Sequence, residues 1–355
     1  MHKKSRREFF EQTVLLAGAT LAAPKLLRSA FAADNAAGTT PFAPQAEALP
    51  AYGSRSSAAA PYLPIRVLDT EKMPIPAPVG ALGWGRKVLF ENKKTGDQLT
   101  ILYVPPGAPG AAVHYHTFHE WAYNIEGDFT NNESTSPDQH YGPLQRFREG
   151  NFLDRPPYSL HGGEKGRQEF MASQVGAIIL IMEEGEVSGG TFTVEPGQTG
   201  MKFNADYKKI KTWTVPRIID TIDKMPWEPH PTVPGLKVKH LVDDQGRGFR
   251  ATMWFLPAKW DSSQSREFAR PYYYKQAYQL NFVIAGDLKV QAYRAPGEKA
   301  ESYRLGKYFY MERPPMSIFG LADGEVSQGG AVWLEVTYAK GTSIPNIPIE
   351  DPTYL

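Results

Sequence analysis

The sequence predicts an all-β protein made of two tandem jelly-roll barrels, and three observations carry that expectation. The first is an internal repeat. Arg66-Val67-Leu68-Asp69-Thr70 returns as Arg217-Ile218-Ile219-Asp220-Thr221, and Lys72-Met73-Pro74 as Lys224-Met225-Pro226. Glu126-Gly127-Asp128 returns as Ala285-Gly286-Asp287, and Asp154-Arg155-Pro156-Pro157 as Glu312-Arg313-Pro314-Pro315. The offset stays between 151 and 159 residues, the length of a duplicated domain and not of a solenoid period. The second is the pattern within each repeat. Short runs such as Leu99–Val104 and Ala177–Met182 are rich in β-branched and apolar residues, and Gly, Pro, Asn and Asp clusters separate them. The third is composition: 12% aromatic residues with 32 Gly and 30 Pro in 355 residues suit a turn-rich β chain.

Composition also removes whole classes of function. The chain has no cysteine, which excludes disulfides, thiolate zinc sites, iron–sulfur clusters and a cysteine nucleophile. A transition metal would have to be held by histidine and carboxylate. Lys+Arg at 39 against Asp+Glu at 38 leaves a formal charge of +1 with no long like-charge run. Neither nucleic acid nor an anionic membrane surface is therefore expected as a partner.

The first 32 residues are expected to lie outside the fold. A basic start, His2 to Arg7, precedes an apolar run from Thr13 to Ala23 and the small-x-small pattern Ala30-Phe31-Ala32. The run is too short to span a bilayer, which takes about 20 apolar residues. Ser5-Arg6-Arg7-Glu8-Phe9-Phe10 resembles the twin-arginine export signal, which implies a periplasmic or secreted protein exported already folded. Residues 33–63, rich in Ala, Pro, Ser and Gly, read as a linker. The domains are then expected at 64–200 and 201–355.

Five of the eight histidines fall between positions 114 and 161. On a strand, alternation puts His114, His116 and Glu120 on one face and His119 on the other. His161 follows a Pro-Pro turn and would come in on a neighbouring strand. Three imidazoles and a carboxylate make a site for a borderline divalent ion with coordination positions left for substrate. Alternatives are a surface histidine cluster, a structural zinc site, or Glu120 acting only to orient a liganding imidazole.

These residues resemble the two motifs of the cupin superfamily. His114, His116, Glu120 and Gly127 match the first motif, and Gly150, Pro156 and His161 the second. Tyr158 stands where the family often has glycine and Lys165 where it often has asparagine. The resemblance implies two cupin barrels and a metal set of His114, His116, Glu120 and His161, with Glu120 also the candidate catalytic base. Iron(II) or manganese(II) is favoured, with zinc, nickel or copper as alternatives.

In the second repeat Tyr273, Lys275, Gln279 and Phe319 stand opposite the four ligands. No metal is expected there; a structural role is, with a binding pocket without metal as the alternative. Around the first site Phe118, Trp121, Tyr123, Phe129, Tyr141 and Phe152 suggest an aromatic pocket, and Thr130 to Pro143 a polar loop offering His140 and Tyr141 to substrate. Glu133-Ser134-Thr135 has the letters of the lid of oxalate decarboxylases, but it precedes the last ligand and is given no role. Three functions follow in order: a dioxygenase acting on a small phenolic or diketone-like chelator; a redox-neutral lyase, decarboxylase or isomerase; and a non-catalytic metal- or ligand-binding protein. A small-molecule substrate is the expected partner, and self-association is left open.

Overall fold

The structure is a computed structural model that describes residues 63–74, 82–93, 95–134, 142–163, 171–185, 191–193, 216–265, 269–294, 298–339 and 347–348. The expected signal, the linker up to residue 62, and His140, Tyr141 and Lys165 lie outside them. The described residues are strands, turns and short 3-10 segments, as the period-two runs require. Among them no helix is long and apolar enough to cross a membrane.

The strands of the first repeat are β1 (Arg66–Asp69), β2 (Gly85–Asn92), β3 (Asp97–Val104), β4 (His114–His116), β5 (His119–Asn132), β6 (Leu144–Arg148), β7 (Asn151–Arg155), β8 (Ala177–Glu184) and β9 (Thr191–Thr193). Those of the second are β10 (Arg217–Asp220), β11 (Glu228–Pro229), β12 (Lys237–Asp244), β13 (Phe249–Leu256), β14 (Tyr272–Tyr273), β15 (Tyr278–Gly286), β16 (Leu288–Tyr293), β17 (Glu301–Leu305), β18 (Phe309–Arg313), β19 (Ile318–Leu321), β20 (Ala331–Tyr338) and β21 (Ile347–Pro348).

The chain forms two compact units, and the duplication is visible in the order of their strands. One unit has a sheet in the order β10-β7-β5-β8-β3-β2, and the other a sheet in the order β1-β18-β15-β20-β13-β12-β11. Position for position, β7, β5, β8, β3 and β2 correspond to β18, β15, β20, β13 and β12. The first strand of each repeat is exchanged: β1 pairs with β18, and β10 pairs with β7. The division expected at 200/201 lies outside the described residues. Pro74–Met225 belongs to one unit, while the strand at Arg66–Asp69 is part of the unit that resumes at Pro226.

The repeated letters explain how the exchanged strands are held. In one unit Arg66 donates from Nε and Nη2 to Glu312 Oε2 at 3.0 and 2.6 Å, and Thr70 Oγ1 donates to the carbonyl of Tyr308 at 2.7 Å. In the other, Arg217 Nε donates to Asp154 Oδ2 at 2.8 Å, and Thr221 Oγ1 to the carbonyl of Gly150 at 2.6 Å. The Arg…Asp-Thr segment and the acid before Arg-Pro-Pro are thus the two halves of one latch, present twice.

Asp154 carries more than the latch, because His119 Nε2 lies 2.5 Å from its Oδ1, and His119 Nδ1 lies 3.0 Å from Glu184 Oε1. Burial alone would raise the Asp154 pKa, but the hydrogen bonds and charges of His119 and Arg217 outweigh it and hold the carboxyl well below the usual range. Stability from Asp154 is therefore present above the unfolded value near pH 4 and lost as the pH falls further. Asp154→Asn should lower unfolding stability at pH 7 by about 1.5–3 kcal/mol, the scale of hydrogen bonds to charged groups. Urea titrations should show that gap narrowing below about pH 4. An equal gap at pH 7 and pH 3 would refute the assignment.

Gly127 lies within β5, just after a register irregularity, with φ +74, and a Cβ there would meet the carbonyl oxygen of Gly176 at 1.9 Å. Its repeat partner Gly286 has φ +77 and the same conflict with Gly330 at 1.8 Å. Only glycine fits this approach of backbone to backbone. Inside the first barrel Leu102, Val104, Ala122, Leu153, Ala177 and Ile179 form the core. Inside the second, Leu256, Val283, Val290, Met311, Leu321 and Trp333 do so. Each large aliphatic buried there contributes roughly 1.5–3 kcal/mol.

Candidate metal centre

β4 delivers His114 and His116, and the turn after β7 delivers His161. His114 and His161 face each other as a bridge closed by two backbone hydrogen bonds, His114 N–H to the His161 carbonyl at 2.8 Å and the reverse at 2.9 Å. The turn is Arg155-Pro156-Pro157-Tyr158, and Tyr158 has φ 65. The left-handed conformation explains why glycine suits this position. Tyr158 keeps it by donating its N–H to the His116 carbonyl at 2.6 Å and by stacking on Tyr115 at 5.9 Å. The repeat equivalent Met316 has φ 68, so the turn is a property of the duplication.

The three imidazoles converge. One ring nitrogen from each of His114, His116 and His161 lies within 4.8 Å of the others. Ring centroids are 4.1 Å apart for His114–His161, 4.9 Å for His116–His161 and 5.0 Å for His114–His116. His114 Nδ1 is 2.6 Å from the Ala112 carbonyl and His161 Nδ1 is 2.9 Å from the Ser159 carbonyl. A carbonyl only accepts, so both Nδ1 atoms carry the proton and both Nε2 atoms keep a lone pair. Burial, reinforced by His116 and Arg155, lowers His114 to about 3, and burial with Arg155 lowers His116 to about 4. Burial and Arg155 push His161 well below the ordinary value. The cluster is neutral at pH 7, with the Nε2 lone pairs of His114 and His161 left for a ligand. That donor set fits a divalent transition ion, and His114, His116 and His161 would hold it.

Glu120 is buried, with Oε2 3.3 Å from His116 Nε2, and its Oε1 accepts from Arg155 Nη1. It sits beside the histidines with one oxygen occupied by Arg155 and the other on the histidine side. A second group, His116, Glu120 and Glu183, shares two of these residues. Arg155 is the hub: it also donates from Nε to Glu133 Oε2 at 3.2 Å and from Nη2 to Glu133 Oε1. Burial pushes Arg155 down to about 9, still a cation at neutral pH, and pushes the Glu133 carboxyl up against the hydrogen bond from Asn131.

Arg155, Glu133 and Glu183 were not singled out as site residues from sequence. Glu183 was readable, since it ends the apolar run of β8 and is paired in register with Glu120. Glu133 has a structural place, bridged to His161 and saturating Arg155. The aromatic pocket is corrected. Phe118 stacks on His116 at 4.6 Å and 17°. Trp121 and Tyr123 alternate with Glu120 and Ala122 along β5, and Trp121 stacks on Phe152 in the buried layer on the other face. Phe129 packs on Trp84 and Phe147 against the apolar core. Tyr141 lies outside the described residues. The loop expected from Thr130 is strand as far as Asn132, paired with β6.

No family model matches the chain, and no curated protein does. Solved structures do. A Nostoc punctiforme protein described as a candidate dioxygenase aligns with TM-score 0.54 and 13% identity, over 81% of this chain and 87% of its own. An 11S globulin from Wrightia tinctoria, reported with an auxin binding site, aligns with TM-score 0.52 and 8% identity over 80% and 85%. Hazelnut (Corylus avellana) vicilin aligns with TM-score 0.50 and 12% identity over 79% and 87%. At such identities the likeness establishes the fold, two tandem cupin-type jelly-roll barrels, and leaves the chemistry to the site.

Proposed function

We propose that the chain is a metal-dependent enzyme of the dioxygenase type, acting on a small substrate that chelates through phenolic or diketone-like oxygens. The observation that carries the reading is the neutral cluster of His114, His116 and His161, with two of its lone pairs fixed by backbone carbonyls. Iron(II) or manganese(II) is the proposed ion, because three imidazoles and a carboxylate without sulfur suit either. The dioxygenase description of the Nostoc punctiforme protein agrees with this.

A bound ion would supply Lewis acidity and, if redox-active, electron transfer with dioxygen. The remaining work falls to the chain. Glu120 Oε2 is placed to take a proton from a substrate hydroxyl, while Arg155 fixes the other oxygen and so its orientation. Phe118, flat against His116, gives a planar substrate an apolar face. The likeness of Ser5–Phe10 to an export signal supports a periplasmic or secreted location for this chemistry.

Protein loaded with iron(II) or manganese(II) should take up dioxygen when offered a flavonol, a catechol or a β-diketone, followed with an oxygen electrode. One equivalent of metal by mass spectrometry should fall to near zero in His116→Ala and His161→Ala. Glu120→Gln should slow turnover by about 10²–10⁴-fold, the range for loss of a positioned base. Turnover of the same chelators without dioxygen would overturn the reading in favour of a redox-neutral lyase or isomerase. Tight metal with no turnover of any would favour a binding protein.

A further inference from the structure

The second barrel has not simply lost its ligands. Register maps Glu120, paired with Arg155 and Glu183, onto Gln279, paired with Arg313 and Thr337. It likewise maps Ala122, paired with Ile181, onto Asn281, paired with Glu335. Two changes follow. The guanidinium kept at Arg313 faces a neutral amide in place of a carboxylate, and an apolar pair of the first core has become an amide and an acid.

Asn281, Arg313 and Glu335 open on a cavity of about 400 Å³. Its lining includes Trp254, Tyr272, Phe319 and Trp333 together with Asn281, Arg313 and Glu335. Trp254 and Trp333 are parallel, 6.0 Å apart at 12°, and the Arg313 guanidinium lies 3.8 Å from the Phe319 ring centroid. Arg313 is 2% exposed and Asn281 4%. Arg313 donates from Nη1 to Tyr272 Oη at 3.3 Å, and among the described residues it forms no carboxylate ion pair. Among the described residues its Nε and the Nδ2 of Asn281 have no hydrogen-bond partner. Buried donors left unsatisfied cost free energy, and a buried guanidinium without an acid costs more. Neither donor improves the barrel as a structural element, so both are explained by a molecule that brings the acceptor.

We propose that the cavity of the C-terminal barrel is a metal-independent binding site for a small aromatic carboxylate, its carboxylate on Arg313 Nε and Asn281 Nδ2 and its rings between the aromatic walls. The volume sets the size. A cavity of roughly 150 Å³ takes benzene, so this one has room for two fused rings. Guanidinium and amide select a planar anion over a cation or a neutral amide. Glu335 acts on Arg313 at longer range, and its own carboxyl is pushed up by burial.

The test is isothermal titration of the full chain, after dialysis against EDTA, with 2-naphthoate, 2-naphthamide and 2-naphthylmethylammonium. Saturable binding of one naphthoate, unaffected by chelation and at least tenfold tighter than either analogue, is the expected result. Arg313→Met should weaken it by about 10- to 100-fold, the scale of a lost charge-assisted hydrogen bond. Asn281→Ala should weaken it several-fold with cooperative melting retained, so that the proposal stays testable if the arginine variant misfolds. No naphthoate binding, tighter binding of the ammonium analogue, or undiminished affinity in Asn281→Ala would each overturn it.

Discussion

Metal-free protein is expected to lose stability steeply as the pH falls from about 6.5 towards 4. His114, His116 and His161 are held neutral, with folded values of about 3 and about 4 for the first two and a third well below normal. Their unfolded value is near 6.5. The unfolded chain therefore takes up protons through this window while the folded chain does not, so stability falls as the pH drops. Each histidine adds a slope of about 1.4 kcal/mol per pH unit until its folded value is reached. Urea unfolding of the EDTA-treated protein at pH 7, 6, 5.5 and 5 measures it directly. The slope should shrink in His161→Gln. A divalent ion binding the neutral imidazoles should raise stability at pH 7 by an amount that grows with its concentration. A flat profile in the metal-free protein would mean that the histidines are not enclosed as described.

Replacing Arg155 by methionine is expected to destabilise its unit by about 3–5 kcal/mol, the usual cost of removing one partner from a buried ion pair. The substitution keeps much of the apolar stem but leaves Glu120 and Glu133, both buried, without the guanidinium that meets them. The matching experiment is the triple variant Arg155→Met, Glu120→Gln, Glu133→Gln. Stability should largely return, because the cost lies in the orphaned carboxylates and not in the missing cation. Denaturant midpoints of the single and triple variants decide it. A single variant within 1 kcal/mol of the parent would remove Arg155 as the hub of the site.

Much of this was legible in the sequence, and for local reasons. Period-two runs ended by glycine and proline identify strands because alternation and turn chemistry act over a few residues. The repeat is visible because both copies must satisfy the same turns: Gly127 and Gly286 meet the equivalent carbonyls of Gly176 and Gly330, and Tyr158 and Met316 share the left-handed conformation. His114, His116 and His161 were readable from spacing. What failed depends on pairing across strands. Arg155 looks like a turn-flanking surface residue until β5 and β7 bring it against Glu120 and Glu133. Proximity along the chain suggests Trp121, Tyr123 and Phe152 for the site, although alternation from Glu120 turns Trp121 and Tyr123 away, and Phe152 stacks on Trp121. The repeat revealed that Arg66–Asp69 and Arg217–Asp220 are equivalent, but equivalence does not say which partner each strand takes.

The exchanged strands bear on how the protein is made. Arg66 is joined to Glu312 across 246 residues, so the edge strand that leaves the ribosome early waits for nearly all the rest before it can pair. During that wait its backbone donors and acceptors are open to any other strand in the cell. The unit around the histidines, by contrast, has all its strands from Gly85 to Asp220 in one continuous stretch and is complete first. Biosynthesis thus closes the histidine-bearing barrel while the other still lacks most of its chain, and interrupted translation would release a finished first barrel with a sticky edge strand ahead of it.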